Sequence, residues 1–206
     1  ISDAFFVAFR IPNTFRRLFA EGTFNSAFVP SYTSALLSGK KKTEKFANSV
    51  FNLLIFILLT LTILVELFMP TFIKLIAPGF AETANKYHLA IDLTRITFPF
   101  LFFISIASFL SAILNSHNKF ASAAAAPLIL NIVLILTFLF MQNNSEILVY
   151  NLSYAITFAG LLQFVFLIFF TKKYFKPKLN FRFDIDKKIK IFFNKLLPSI
   201  FSSGVT

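Results

Sequence analysis

Five charged side chains near the start of the chain include three arginines whose type and spacing suit the binding of an anion. Asp3, Arg10 and Arg17 recur every seven residues, so on an α-helix they fall along one face. Arg16 lies about 100° round the helix from Arg17, and Glu21 follows Arg17 by four residues, within ion-pair reach. A guanidinium is planar, always charged and forked, so it matches phosphate oxygens as a lysine ammonium does not. Two readings of this group stand side by side on pattern alone. In one, Arg16 and Arg17 snorkel to anionic headgroups beside a cytoplasmic loop and anchor a helix end. In the other, the arginines line a cavity that holds an anionic ligand, with a diphosphate as the geometric match. Pro12 removes a backbone donor between Arg10 and Arg16 and is expected to kink or break the helix, which loosens face assignments across it.

Other polar groups read more plainly. Asp92 and Arg95 stand at i and i+3 and are expected to form a local ion pair that eases insertion of a helix start. Glu66, four residues before Pro70, reads as an interfacial carboxylate reaching for water, with a proton or cation site as the alternative. Asn52, Asn131 and Gln163 suit inter-helix hydrogen bonds. His88 and His117 lie at opposite ends of one apolar run, so they cannot share a metal, and each reads as an interfacial side chain. No Gly-rich phosphate loop, no HExxH and no cysteine occurs. The sequence therefore leads to no catalytic residue, no metal and no cofactor.

The elements that must position these groups are membrane helices. Hydrophobic residues make up 57% of the chain and charged residues 14%, and mean hydropathy is +0.75, far from the composition of a soluble domain. A bilayer core about 30 Å thick needs about 20 apolar residues per helix. Residues 47–69, 89–114, 121–141 and 147–171 meet that test, residues 191–206 read as the start of another span, and residues 2–20 as an amphipathic or cavity-facing helix. The class expected is an all-α, polytopic integral membrane bundle forming one unit.

The formal charge is +11, yet the basic residues lie between apolar runs, which argues for cytoplasmic loops rather than for nucleic acid as a partner. Residues 39–45 (GKKKTEK) and the lysine-rich stretch 172–195 are the strongest clusters, whereas 142–146 (QNNSE) carries no basic residue. Loops 39–45, 115–120 and 172–190 are therefore expected in the cytoplasm, and 77–87 and 142–146 outside. The chain opens on Ile1 without a signal-peptide pattern and stops while turning apolar, so both ends read as cut and a fragment is expected.

The stretch DAFFVAFRIPNTFRRLFAEGTFNSAFVP resembles the second-helix signature of the MurJ (MviN) family of lipid II flippases, within the exporter superfamily of drug/cation antiporters and polysaccharide flippases. APGF at 77–80, FP at 98–99, AILN at 112–115, AAP at 125–127 and Asn131 follow in the family's order, so the resemblance covers essentially the whole chain. It implies part of an N-terminal lobe, helices two to six and the start of seven, of a fourteen-helix transporter with a central cationic cavity. The implied partners are a lipid-linked peptidoglycan precursor and membrane lipids, and the implied location is the bacterial inner membrane. It also implies that Arg16 matches a functional cavity cation, that Asp3 and Glu21 match acidic positions, and that Arg10 sits where the family also accepts Lys. The first-helix Arg-Asp motif and a later-lobe Arg are not in this chain. Alternatives are an antiporter or polysaccharide flippase of the same superfamily, a membrane enzyme acting on the same lipid, and a non-transporting scaffold. An antiporter would want cavity acids where this sequence offers arginines.

Overall fold

The computed structural model describes residues 1–20, 23–80, 83–141, 144–180 and 194, with the side chains of residues 11, 15–20 and 23 outside that description. Among the described residues eight α-helices run in chain order: α1 (Ser2–Ala20), α2 (Thr23–Leu37), α3 (Lys40–Leu67), α4 (Met69–Ile76), α5 (Ala84–Thr97), α6 (Pro99–Ser116), α7 (Phe120–Phe140) and α8 (Ser145–Thr171). Among the described residues the fold is all-α, and α3, the α5–α6 pair, α7 and α8 are each long and apolar enough to cross a membrane. Helix α3 begins at Lys40, ahead of the apolar run, because hydropathy reports the solvent and not the backbone. Gly39, at φ 101°, turns the chain between α2 and α3.

Prolines punctuate the bundle. Pro99 cannot donate to the carbonyl of Arg95, so α5 ends and α6 starts there, although Phe98 keeps helical dihedrals and the two run on nearly as one rod. Thr157 of α8 donates its hydroxyl to the carbonyl of Ile96 and stitches this junction to the next helix. Three residues on, a Cβ on Gly160 would stand 2.6 Å from Phe100 Cδ2, so only glycine admits the α6–α8 approach. Helix α6 is the central post, with twelve of its 18 residues buried. Helix α7 fully buries only Ala126 and Thr137, packs Ala123, Leu130 and Leu134 partly against the core, and leaves much of its apolar surface exposed.

Phenylalanines fill the half of the core toward the α2–α3 turn and the end of α6. Phe28 stacks on Phe24, Tyr32 and Phe46 and meets Phe109 edge-on, while Phe175 closes the cluster against Phe51 and Phe109. Beyond α8 the chain lies extended across α3, held by two asparagines. The Lys178 amide donates to Asn48 Oδ1 (2.6 Å), Asn52 Nδ2 donates to the Lys178 carbonyl (3.0 Å), and the Asn180 amide donates to Asn52 Oδ1 (3.3 Å). Asn52 thus bonds a connecting segment and not another helix. Asn131 is exposed, and Gln163 is buried with Nε2 unpartnered among the described residues. The inter-helix bonds expected of all three are therefore not formed by these atoms. A side-chain amide pairs with whichever backbone group the fold brings to it, and spacing does not reveal which.

Candidate functional site

Helix α1 is continuous through Pro12, where a kink or break was expected. The reason lies 85 residues away in the chain. Proline at position 12 leaves the carbonyl of Ala8 without its intrahelical donor, and the buried Thr97 hydroxyl supplies one at 2.9 Å. The small residues Ala4 and Ala8, both buried, let the α1 backbone approach α5 closely, and Pro12 follows on the same face. Arg10 lies on the opposite side, exposed and without an ion-pair partner among the described residues.

Two hydrogen bonds register α1 and α2 against α5 and α6. One is Thr97 to Ala8; the other joins Tyr32 Oη of α2 to His117 Nε2, at 3.3 Å, just past the end of α6. From Thr97 to His117 the helix rises about 30 Å, close to the hydrocarbon thickness. Position 16 lies eight residues beyond Ala8, about 12 Å down α1 from the Thr97 level. The backbone of Arg16 and Arg17 therefore lies between the levels of these two bonds, alongside α6. The side chains of Arg16 and Arg17, and the whole of Glu21, lie outside the described residues.

Asp3 sits at the other end of α1, where it pairs with Lys86 of α5 at 3.7 Å. Both side chains are at least half exposed, so the pair contributes little to stability. Asp3 and Arg10 share the expected stripe about 10 Å apart, too far for direct contact through the backbone register alone.

Three expectations need correction. Asp92 and Arg95 form no ion pair: Asp92 accepts from Tyr150 Oη of α8 at 3.5 Å, and Arg95 borders a groove toward α7 and α8. Glu66 is half-buried with Oε1 closed off and unpartnered among the described residues, so it does not simply reach for water. His117 is no plain interfacial side chain, since it stacks on Tyr174 with centroids 4.3 Å apart, and burial holds its imidazole below the usual histidine range. Sequence reading also missed Thr97 and Thr157. The only signal for either was a proline whose i−4 or nearby carbonyl must find a donor elsewhere.

Apolar helices of bilayer length, with polar groups satisfied between helices, define a polytopic integral membrane protein. The family model of lipid II flippase MurJ matches residues 1–206. The probable lipid II flippase MurJ of Rickettsia prowazekii (strain Madrid E) is 38% identical over 208 residues, which takes in 100% of this chain and 40% of that protein. The lipid II flippase MurJ of Burkholderia cenocepacia is 34% identical over 165 residues, 80% of this chain and 32% of that protein. A solved structure of lipid II flippase MurJ in an inward closed conformation superposes with a TM-score of 0.77 at 30% identity, covering 98% of this chain and 41% of that one. This chain belongs to the lipid II flippase MurJ family. It spans about two fifths of the length of the relatives it matches.

Proposed function

We propose that a full-length protein carrying this region moves an undecaprenyl-diphosphate-linked peptidoglycan precursor from the inner to the outer leaflet of a bacterial inner membrane, without covalent chemistry. The physical task is to shelter a diphosphate from hydrocarbon, where an unpaired charge costs many kcal/mol. Arginines on α1 supply the counter-charge while the polyprenyl tail stays in lipid. The observation that carries this reading is the level of positions 16 and 17 on α1, between the Thr97 and His117 bonds. With Arg10 on the same helix, facing away from the packed Ala4–Ala8 side, α1 forms one charged wall of a pathway whose other wall belongs to a second lobe. Rocking of the two lobes would alternate access.

The test is complementation of a flippase-depleted strain by the full-length protein, with membrane levels checked by immunoblot. Loss of one charge-assisted hydrogen bond costs roughly 1.5–3 kcal/mol, about a tenfold to hundredfold loss of affinity. Arg16→Ala is expected to insert normally and fail to support growth, with Arg16→Lys intermediate because it keeps charge but not the fork. Arg17→Ala is expected to be milder, since Glu21 stands at ion-pair spacing from it. Full growth with Arg16→Ala would return that residue to a structural role.

A further inference from the structure

Helix α1 is held unevenly on the two sides of its proline. Beyond Pro12, the α1–α2 stretch is seated by large rings: Phe24, Phe28 and Tyr32 are buried in the phenylalanine cluster. Before Pro12 the buried contacts are the methyl groups of Ala4 and Ala8, with Phe5 and Phe9 only partly covered. Methyl groups bury little apolar area, so this outer half gains less from packing. The Asp3–Lys86 pair near its tip is exposed and adds little. What remains is one buried bond, from Thr97 to the Ala8 carbonyl that Pro12 leaves without an amide. The same hydroxyl has a second acceptor within reach, because the carbonyl of Thr94 in its own helix stands 3.3 Å away. A hydroxyl carries one proton and can give it to either oxygen.

We propose that Pro12 and Thr97 form a hinge on which the outer half of α1 swings off α5, the Thr97 hydroxyl passing from the Ala8 carbonyl to that of Thr94. Neither end of the broken bond is left unpaired. The hydroxyl turns back into its own helix, and the Ala8 carbonyl, once lifted off α5, takes a water instead. A regular helix would lose an internal hydrogen bond at such a bend, whereas Pro12 has none to lose. From Ser2 to Pro12 the helix is about 15 Å long, so a bend of about 20° moves its tip by about 5 Å. Asp3 and Arg10 ride on the moving arm, while positions 16 and 17 stay on the seated side. The swing therefore changes the spacing between Arg10 and the arginines beyond the proline. Its use in transport rests on the function proposed above; the swing itself does not.

The full-length protein, with any other cysteines replaced by serine, would carry spin labels at Ser2→Cys, on the tip of α1, and at Leu139→Cys, on the exposed side of α7. It is placed in lipid nanodiscs, and the distance distribution is read by pulsed electron paramagnetic resonance. Two populations are expected, differing by up to about 5 Å. Thr97→Val should raise the displaced population roughly three- to tenfold relative to the straight one, the weight of one bond between membrane helices. Thr97→Ser should leave the ratio near that of the parent. Pro12→Ala gives the Ala8 carbonyl an amide from its own helix and should leave only the straight population, with or without Thr97→Val. A second label pair, Ser34→Cys with Leu139→Cys, lies on the seated side of the proline and should hold its distance in every variant. One fixed distance throughout, a shift that persists with Pro12→Ala, or a shift that reaches the second pair would overturn the hinge. Complementation then asks whether the swing serves transport: Pro12→Ala is expected to fail at normal membrane levels, and full growth would remove the swing from the cycle. The distances are measured without transport, and Arg16→Ala tests the transport reading by itself, so the two can fail separately.

Discussion

Replacing Thr97 by Val removes one hydroxyl from a fully buried site and keeps the branched shape of the side chain. The lost bond to Ala8 is the smaller part of the effect. Because Pro12 has no amide hydrogen, the Ala8 carbonyl then has no donor at all, and an unsatisfied buried carbonyl costs about 1–3 kcal/mol. Bonds between membrane helices average nearer about 0.6 kcal/mol, because partners are also found in the unfolded state, so the expected loss is about 1–2 kcal/mol. Thr97→Ser keeps the donor and should cost less. The decisive comparison adds Pro12→Ala, which restores an intrahelical amide to Ala8; Thr97→Val should then be nearly silent, giving a coupling of about 1 kcal/mol between the two positions. The assay is unfolding of the full-length protein in mixed micelles by sodium dodecyl sulfate, followed by circular dichroism. If Thr97→Val is as stable as wild type, or loses as much with Pro12→Ala as without it, the account of how α1 crosses its proline is wrong.

Gly160→Ala should lower stability in the same assay by about 1 kcal/mol, since overpacking against Phe100 outweighs the gain in helix propensity, and Phe100→Leu in the same chain should recover most of it. Asn52→Ala should raise hydrogen exchange at the Asn180 amide several-fold while the α3 amides stay protected, measured by mass spectrometry. The imidazole of His117 has its pKa lowered by burial, so the unfolded chain takes the proton first: stability should be level above about pH 6.5 and fall as pH drops below it, and His117→Phe should flatten that slope. Single cysteines in 40–45 and 172–178 should resist an impermeant thiol reagent in intact spheroplasts and those in 77–80 and 144–146 should react; labelling of 172–178 from outside would invert the topology.

The class of fold was legible because hydrocarbon thickness writes a length directly into the sequence, and runs such as FNLLIFILLTLTILVELFM need no tertiary information. Family membership was legible for a different reason, since FRRLFAEG and AFVP are rare words in fixed order. Pro12 shows what was not legible. Local rules make it a helix breaker, and only Thr97, far off in the chain, overrides them. The same holds for Asp92 and Arg95, whose i, i+3 spacing permits a bond that the approach of Tyr150 and an open groove draw apart. The level of position 16 was hidden too, since only the bonds made by Thr97 and His117 register α1 and α2 against α6.

The asparagine clasp on α3 bears on the order in which the protein is made. Asn52 lies 126 residues before its partner Lys178, and Asn48 lies 130 before it. Synthesis proceeds from the N-terminus at about 5–20 residues per second, so α3 is inserted several seconds before the strand it must hold exists. During that wait the two amides stand in the third and fourth turns of α3, without the backbone partners that they hold in the finished bundle. The N-terminal half of helix α3 is therefore left untied while α5 through α8 thread in beside it. Only when residues 176–180 leave the ribosome does the latch close, and its closing marks a bundle whose later helices have already found their places.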